Sequence, residues 1–375
     1  MDCIETRMGF LDPCGMGQMQ EKNIPVLGSL LARIKDVIQA MSFWRLQWLL
    51  FVDWQQKLLW RTVKMYGWEK CMETLLQKLI NECRPYTNEG KLASYIPELE
   101  HWDQNLLGVH VISCTGEEYG AGERDTWFTI QSVSKIMIFA CCLMDSTTGE
   151  MEKKVSVEPT AEGFNSIVNL ETKNANKPLN PFINSGAIAC ITLLKGESYE
   201  DKYIRVLDFI RKICGNDQIS PNREVYLSEQ ATGSRNRALA YYMKSTGVID
   251  GDVEEILDVY FKICSIQVTC QDLARIAVVF ANHGKGLTGE EFFSSRIAKT
   301  VTATMTVCGM YDESGSFAIK VGLPSKSGVG GGIVSVVPGK MGIGVFGPAL
   351  NAHGTSLAGM KLLERMSEEL ELSIF

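Results

Sequence analysis

Two stretches decide how this chain folds and reacts: Phe128-Thr129-Ile130-Gln131-Ser132-Val133-Ser134-Lys135 and, nearly two hundred residues later, Lys326-Ser327-Gly328. The first contains a Ser-x-x-Lys tetrad and the second is a Lys-Ser-Gly triplet. In this order, the pair is the signature of enzymes that attack an amide with a serine whose base is a lysine. The tetrad alone is expected by chance about once or twice in a chain of this length, so its order and surroundings matter.

The tetrad can supply a nucleophile and its base. Residues three apart share a helix face, so we expect Lys135 to reach the hydroxyl of Ser132. A lysine is a base near neutral pH only if its pKa falls, which burial and a second cation promote. Apolar residues flank the tetrad on both sides, which favours a buried Lys135 over a surface lysine at a helix start. Lys326 is the candidate second cation if its strand borders the site, with Ser327 beside it.

A glycine-rich run, Gly328-Val329-Gly330-Gly331-Gly332, follows the triplet. It can be a strand end that admits close packing. It can also let the backbone N–H of Val329 approach a substrate carbonyl, where it would form an oxyanion hole with the N–H of Ser132. No Walker lysine follows, so a phosphate cradle is disfavoured. The four histidines show no triad setting and no zinc spacing, and we expect neither a metal nor a cofactor.

The apolar periodicity predicts an α+β fold. Strands are predicted at Leu107–Ser113, Trp127–Ile130, Ala318–Val321, Ile333–Val337 and Met341–Phe346. Helices are predicted at Cys71–Cys83, from Ser132 to a stop near Gly149, at Ala187–Leu194, Tyr203–Ile213, Arg235–Ser245, Val253–Ile263, Cys270–Asn282 and Ser356–Glu371. Strands at both ends predict an antiparallel sheet (residues about 70–130 and 300–375), flanked by helices, with an inserted helical subdomain (about 131–299). We expect the active-site cleft between the two parts.

Composition and charge exclude several classes of protein. The net charge is −7 and the basic residues are scattered, whereas a nucleic-acid surface needs a clustered basic footprint. Several of the twelve cysteines lie in apolar stretches and none forms a C-x-x-C, which favours free thiols in a reducing cytoplasm. No secretory leader is recognisable, and the apolar run Trp48–Val52 is too short to span a bilayer. We expect a cytoplasmic protein without stable membrane insertion.

Residues 1–69 differ in character from the rest. Five of the seven tryptophans occur within 25 residues of each other in this extension, namely Trp44, Trp48, Trp54, Trp60 and Trp68. Their spacing suggests a helix that is apolar nearly all round. Such a helix could be an oligomer contact, a membrane-surface helix, or a helix packed on its own domain, and the sequence leaves all three open. We therefore predict an extension of unknown role, followed by a catalytic domain at 70–375.

Residues from about 70 to 375 resemble the serine-dependent glutaminases of the β-lactamase-like superfamily. The resemblance runs in family order through Gly90-Lys91 with Tyr95-Ile96-Pro97, the tetrad segment, Val157-Glu158-Pro159-Thr160, Phe164-Asn165-Ser166, Asn180 to Ile188, Ser228-Glu229, Arg235-Asn236, Tyr260 with Cys264-Ser265, Cys308 to Asp312, and Lys326 to Val329. It implies a β-lactamase/transpeptidase-like fold and hydrolysis of L-glutamine to L-glutamate and ammonia through an acyl-enzyme. It also implies a homo-oligomer.

The resemblance assigns roles to residues at matching positions. It implies that Ser132 is the nucleophile and Lys135 its base, with Tyr311 or Tyr260 relaying a proton. The implied pocket residues are Tyr95, Gln131, Asn184, Glu229, Asn236, Tyr260, Tyr311 and Val329. An ammonium suits a carboxylate such as Glu229, and an α-carboxylate suits neutral donors. Ser185 departs from the alanine common in the family, and Ser234-Arg235-Asn236 matches the middle β-lactamase motif by coincidence.

Two other functions remain open from the residues. A β-lactamase or penicillin-binding enzyme would share the nucleophile, but the absence of a recognisable export signal and the pocket suited to a small zwitterion count against it. A non-catalytic scaffold would bind a partner through residues 1–69, but such a relative usually loses one of Ser132, Lys135 and Lys326.

Overall fold

A computed structural model describes residues 71–94, 96–161, 163, 165–168, 170 and 177–375. The chain divides into two units, Met1–Trp68 and Glu69–Phe375. The predicted tryptophan-rich helix and the implied pocket residue Tyr95 lie outside the described residues. The role of the extension therefore stays a prediction.

A five-stranded sheet forms the centre of the second unit. Its strands run in the order β2-β1-β7-β6-β5 and all neighbours pair antiparallel. The strands are β1 (Gly108–Ser113), β2 (Glu118–Gly122), β5 (Ser325–Ser327), β6 (Gly332–Val337) and β7 (Met341–Phe346). A separate two-stranded ribbon pairs β3 (Phe128–Thr129) with β4 (Gln267–Val268). The predicted antiparallel sheet built from both ends of the chain is thereby confirmed.

The described residues contain the following principal α-helices. They are α1 (71–83), α2 (Lys135–Asp145), α3 (Thr148–Lys154), α4 (Asn184–Thr192), α5 (Tyr199–Cys214), α6 (Arg223–Thr232), α7 (Ser234–Ser245), α8 (Val253–Cys264), α9 (Cys270–Ala281), α10 (Ser295–Cys308), α11 (Ser314–Lys320) and α12 (Leu357–Leu370). None of these helices is both long enough and apolar enough to cross a bilayer.

Helices cover both faces of the sheet, which explains why β6 is buried at every position. On one face α9 packs across β1, β6 and β7. A side chain at Gly342 would overlap the backbone of α9, so glycine lets the helix approach the strand closely. On the other face α1 and α12 pack against alternate residues of β1 and β7. The sheet is therefore a rigid support for the segments at its edge.

Some sequence predictions are wrong in instructive ways. Ala318–Val321 is not a strand, because α11 covers most of it; a four-residue apolar run does not distinguish the two states. Gly149 does not end α2, which stops at the extended residue Ser146. Thr147 then forms a capping box with Glu150 and starts α3, so that Gly149 lies inside a helix.

Several elements escaped prediction, among them β2, α6 and α10. The edge strand β2 contains two glycines, which have low strand propensity. Helix α6 is mostly exposed, with only two buried residues, and so carries little apolar periodicity. It nevertheless carries Glu229, one of the implied pocket residues.

Candidate active site

The Ser-x-x-Lys tetrad forms a tight turn at the start of a buried helix. Residues Gln131–Ser134 make a single turn of 3₁₀-helix and Lys135 opens α2. The chain enters this turn held by the β3–β4 ribbon, and α8 packs against the turn itself. Gln131 has φ 46°, a left-handed backbone conformation that residues other than glycine seldom adopt. Such strain persists only where the surroundings impose it, as at functional sites.

Lys135 lies within hydrogen-bond distance of the serine. Its Nζ is 2.9 Å from Ser132 Oγ and 2.7 Å from Asn184 Oδ1, the first residue of α4. Lys135 is fully buried and Ser132 is 6% exposed. The expected pairing of the hydroxyl with the amine is therefore present in a site largely removed from water.

Burial lowers the pKa of Lys135 to about 8. Glu229 and the Cys264 thiol act in the opposite direction. Lys326 was expected to assist as a second cation, and this expectation needs correction. Lys326 is itself fully buried, and its pKa falls well below the usual value through burial and through the charge of Lys135. Lys326 therefore holds a positive charge poorly, and burial is the main cause of the lowered pKa of Lys135.

Glu229 faces the tetrad from α6. Its Oε1 accepts a hydrogen bond from Gln131 Nε2 at 2.8 Å, and the side chain is 6% exposed. Burial raises its pKa to about 8, against the smaller opposing effects of Gln131 and Lys135. A buried carboxyl of this kind gains most from a cation placed beside it. The strained Gln131 thus holds the one buried glutamate among the described residues.

Asn184 and Asn236 form a second polar pair in the site. Asn184 Nδ2 donates to Asn236 Oδ1 at 2.8 Å, so the start of α4 is joined to α7. Asn184 is buried and Asn236 is half-buried. The pair extends the hydrogen bonds of Lys135 towards the outside of the site.

Tyr311 and Tyr260 approach from different elements. Tyr311 lies in a short 3₁₀ turn with φ 56°, a second strained residue in the site. Its hydroxyl donates to the Ser327 carbonyl at 3.2 Å and also hydrogen-bonds Ser132, while burial raises its pKa to about 12. Tyr260, on α8, is buried beside the Cys264 thiol. Tyr311 is therefore in contact with the serine hydroxyl.

The glycine-rich run closes the site from the sheet side. A side chain at Gly328 would come within 2.9 Å of the Ile130 carbonyl and 3.3 Å of the Ser132 nitrogen. Only a glycine lets this loop lie so close to the backbone of the tetrad turn. Val329 follows directly and is buried. The loop thus lies close against the backbone of the tetrad turn at Ser132.

The described pocket residues implied by the sequence come together around Ser132, and one neighbour was missed. Cys264 is buried at the end of α8 and interacts with Lys135, Glu229 and Tyr260. The sequence analysis included Cys264 in a matching motif but gave it no role in the site. Its spacing of four residues from Tyr260, one helical turn, could have indicated that the two share a face.

The chain is similar to known glutaminases in its family profile, its sequence and its structure. A glutaminase family profile matches residues 90–375. The chain is 57% identical over 305 residues to a glutaminase of Clostridium tetani, a match covering 81% of this chain and 100% of that protein. It is 50% identical over 305 residues to glutaminase 2 of Clostridium perfringens, with the same coverage.

Solved structures similar to this chain point the same way. A Bacillus glutaminase superposes with a TM-score of 0.76 and 37% identity, covering 81% of this chain and 99% of that chain. A Bacillus subtilis glutaminase, in a covalent complex with 5-oxo-L-norleucine formed by reaction with 6-diazo-5-oxo-L-norleucine, superposes with a TM-score of 0.74 and 36% identity, with the same coverage.

Proposed function

The chain belongs to the glutaminase family and hydrolyses L-glutamine to L-glutamate and ammonia, and we propose that it does so through an acyl-enzyme on Ser132 with Lys135 as the base. The observation that carries this mechanism is the 2.9 Å contact between Lys135 Nζ and Ser132 Oγ in a buried site. Family membership removes the support for a β-lactamase and for a non-catalytic scaffold.

Acylation begins with the neutral Lys135 amine. It takes the proton of Ser132 Oγ as the oxygen attacks the side-chain carbonyl carbon of glutamine. The carbonyl oxygen becomes an oxyanion, which the backbone N–H groups of Ser132 and Val329 stabilise. The C–N bond then breaks, and the nitrogen leaves as ammonia with the proton that Lys135 received. Tyr311, neutral because of its high pKa, passes this proton through its hydroxyl.

Deacylation repeats the same proton transfers with water. Lys135 takes a proton from water as the oxygen attacks the ester carbonyl carbon. The C–O bond to Ser132 breaks, and the serine oxygen recovers its proton from the Lys135 ammonium. Glutamate leaves, and the site returns to its starting protonation state.

Substrate recognition uses the charges of a free amino acid. The Glu229 carboxylate binds the α-ammonium of glutamine, which offsets the cost of a buried charge. Asn236, Asn184 and Tyr260 supply neutral donors for the α-carboxylate. Gln131 supports Glu229 through its 2.8 Å hydrogen bond. Tyr95 completes the proposed pocket on the ground of the family resemblance. Asparagine, about one methylene shorter, would bring its amide less close to Ser132.

We propose further that the enzyme works in the cytoplasm as a homo-oligomer. The ten described cysteines carry free thiols and most are buried, which suits a reducing compartment. Homo-oligomers are the common state of soluble enzymes that associate. Sedimentation of the purified chain would test the assembly, and a monomer at all concentrations would contradict it.

The proposed mechanism is tested by ammonia release from L-glutamine by the purified chain, with Ser132→Ala as the control and asparagine alongside. We expect release that requires Ser132 and that is slower from asparagine. Near-normal turnover by a folded Ser132→Ala variant would show that another group is the nucleophile.

A further inference from the structure

The Lys135 amine contacts two oxygens of different chemical kinds. Ser132 Oγ, at 2.9 Å, belongs to a hydroxyl that can donate or accept, whereas Asn184 Oδ1, at 2.7 Å, belongs to an amide carbonyl that can only accept. The amine must therefore donate an N–H to Asn184 whether it is neutral or protonated. The shorter contact is the one that takes no part in proton exchange.

The Asn184 amide is fixed in place. Its Nδ2 donates to Asn236 Oδ1 at 2.8 Å, which orients the carbonyl towards Lys135. Its backbone is fixed too, because Asn180 Oδ1 accepts the N–H groups of Phe182 and Ile183, at 3.0 and 3.2 Å, just before α4 begins. A side chain at Gly186 would overlap the Asn180 carbonyl, so glycine is needed for this packing.

From this hydrogen-bonded chain we infer that Asn184 is a positioning residue for the base, held in turn by Asn236. This role presupposes the Ser132–Lys135 mechanism proposed above. A neutral amine has two N–H groups and one lone pair. With one N–H directed at Asn184, rotation about the Cε–Nζ bond is restricted, and the lone pair is directed at the Ser132 hydroxyl more often.

The same carbonyl matters after the proton has moved. The Lys135 ammonium then lies in a buried site, where an unpaired donor is costly. Asn184 Oδ1 accepts from it and thereby favours the charged form. Asn184 thus sets both the direction of the lone pair and the strength of the base, in addition to any contact with the substrate.

Other groups around Lys135 provide the background against which this effect is measured. Glu229 faces it from α6, the Cys264 thiol from α8, and Lys326 from β5, and Tyr311 lies beside Ser132. All of them stay unchanged when residue 184 is replaced. A shift in the pH dependence that differs in sign between two replacements at 184 is therefore attributable to that position.

The test is the pH profile of kcat for Asn184→Asp and Asn184→Ala, with melting curves to show that each variant folds. In Asn184→Asp, a carboxylate near the amine favours the ammonium, so we expect the acid limb to move to higher pH. In Asn184→Ala, the ammonium loses the Asn184 Oδ1 acceptor, so we expect the limb to move to lower pH and kcat to fall about 10²-fold. A raised KM with the acid limb of kcat unmoved in both variants would overturn the proposal.

Asn236 offers a second pair of variants that do not alter the contact with Lys135 directly. Asn236→Asp keeps an acceptor for Asn184 Nδ2 but adds a carboxylate near the amine, so we expect the acid limb of kcat to move to higher pH by less than in Asn184→Asp. Asn236→Ala removes the acceptor, so we expect a smaller shift in the direction of Asn184→Ala. An unmoved limb in Asn236→Ala would overturn its role. Full activity in Ser132→Ala would instead contradict the proposed function, and the role of Asn184 with it.

Discussion

The start of α2 and strand β5 each bury a lysine completely, yet the two lysines have different surroundings. Lys135 contacts a hydroxyl and a side-chain amide. Lys326 donates to the backbone carbonyl of Ser327 at 2.6 Å and lies 4.1 Å from the ring centroid of Tyr311. Burial lowers the pKa of both, to about 8 for Lys135 and well below the usual value for Lys326.

The difference separates a base from a support. Lys135 retains a pKa near the working pH and touches a group that can give it a proton, which is the requirement for general-base catalysis. Lys326 has a pKa well below its usual value, and its Nζ and the Tyr311 hydroxyl donate to the same carbonyl, that of Ser327. The α2 start thus carries the proton transfer, and β5 holds Tyr311 and the glycine-rich loop in position.

The largest effect is expected within the tetrad itself. Ser132→Ala should reduce glutamine hydrolysis to background, because no hydroxyl remains to form the acyl-enzyme. Ser134→Ala is the matched control, since Ser134 is equally buried in the same turn. Steady-state ammonia release measures both, and a loss of similar size in the two variants would contradict the assignment.

The second-largest effect on kcat should come from Lys135, and replacing Lys326 should have a smaller one. Lys135→Met should lower kcat about 10²–10⁴-fold, the usual contribution of a general base. Lys326→Met should cost about tenfold or less, because the side chain supports the site without exchanging protons. Equal losses in kcat would erase the distinction between base and support.

Substrate charge recognition should be visible in the pH dependence. Lys135 and Glu229 both need to be deprotonated in the active form, and both have a pKa of about 8. Below pH 8, log kcat/KM should therefore rise with a slope approaching two. Glu229→Gln should raise KM about 10²-fold, since the α-ammonium loses its buried partner, and should reduce the slope to one. A wild-type slope of one would mean that only one of these groups titrates.

The two tyrosines give a smaller contrast. Tyr311→Phe should lower kcat about tenfold to a hundredfold, because the Lys135 ammonium can still deliver part of the proton. Tyr260→Phe should change KM more than kcat, because that hydroxyl contacts the Cys264 thiol and belongs to the proposed pocket for the α-carboxylate. The reverse pattern in kcat and KM would assign the relay to Tyr260.

The smallest expected effect is that of Lys135→Met on thermal stability. The folded pKa of Lys135 is below its unfolded value of 10.5, so burying the ammonium costs stability at pH values below about 8. This cost declines between pH 8 and 10.5, because the folded form has already lost its proton. Lys135→Met should therefore raise the Tm at pH 7 and lose this advantage near pH 10. A constant difference in Tm across this range would show that desolvation is not its source.

The sequence predicts the regular elements well where the pattern is long. Strand β7 matches its prediction at both ends, and the family resemblance and the β-lactamase-like fold are confirmed. Helix α8 begins where predicted and ends one residue later than predicted, because its apolar face has a clear helical period. The edge strand β2 and the exposed helix α6 lack such a pattern, so local sequence did not reveal them.

The site was predictable in its residues more than in its geometry. Local spacing places Lys135 beside Ser132, and the resemblance supplied Glu229 and the two asparagines. The left-handed conformations of Gln131 and Tyr311 are imposed by tertiary packing, which no local propensity encodes. The strongly lowered pKa of Lys326 likewise depends on burial produced by distant segments, which the sequence alone does not reveal.

The most direct test of the central claim is peptide mass spectrometry after reaction of the chain with 6-diazo-5-oxo-L-norleucine, the reagent that forms a covalent complex with the Bacillus subtilis relative. We predict an adduct on Ser132 in the wild type. Its rate of formation should fall at least about 10²-fold in Lys135→Met and stay nearly normal in Lys326→Met. An adduct on another residue, such as Cys264, or equal rates in the wild type and Lys135→Met, would contradict the account.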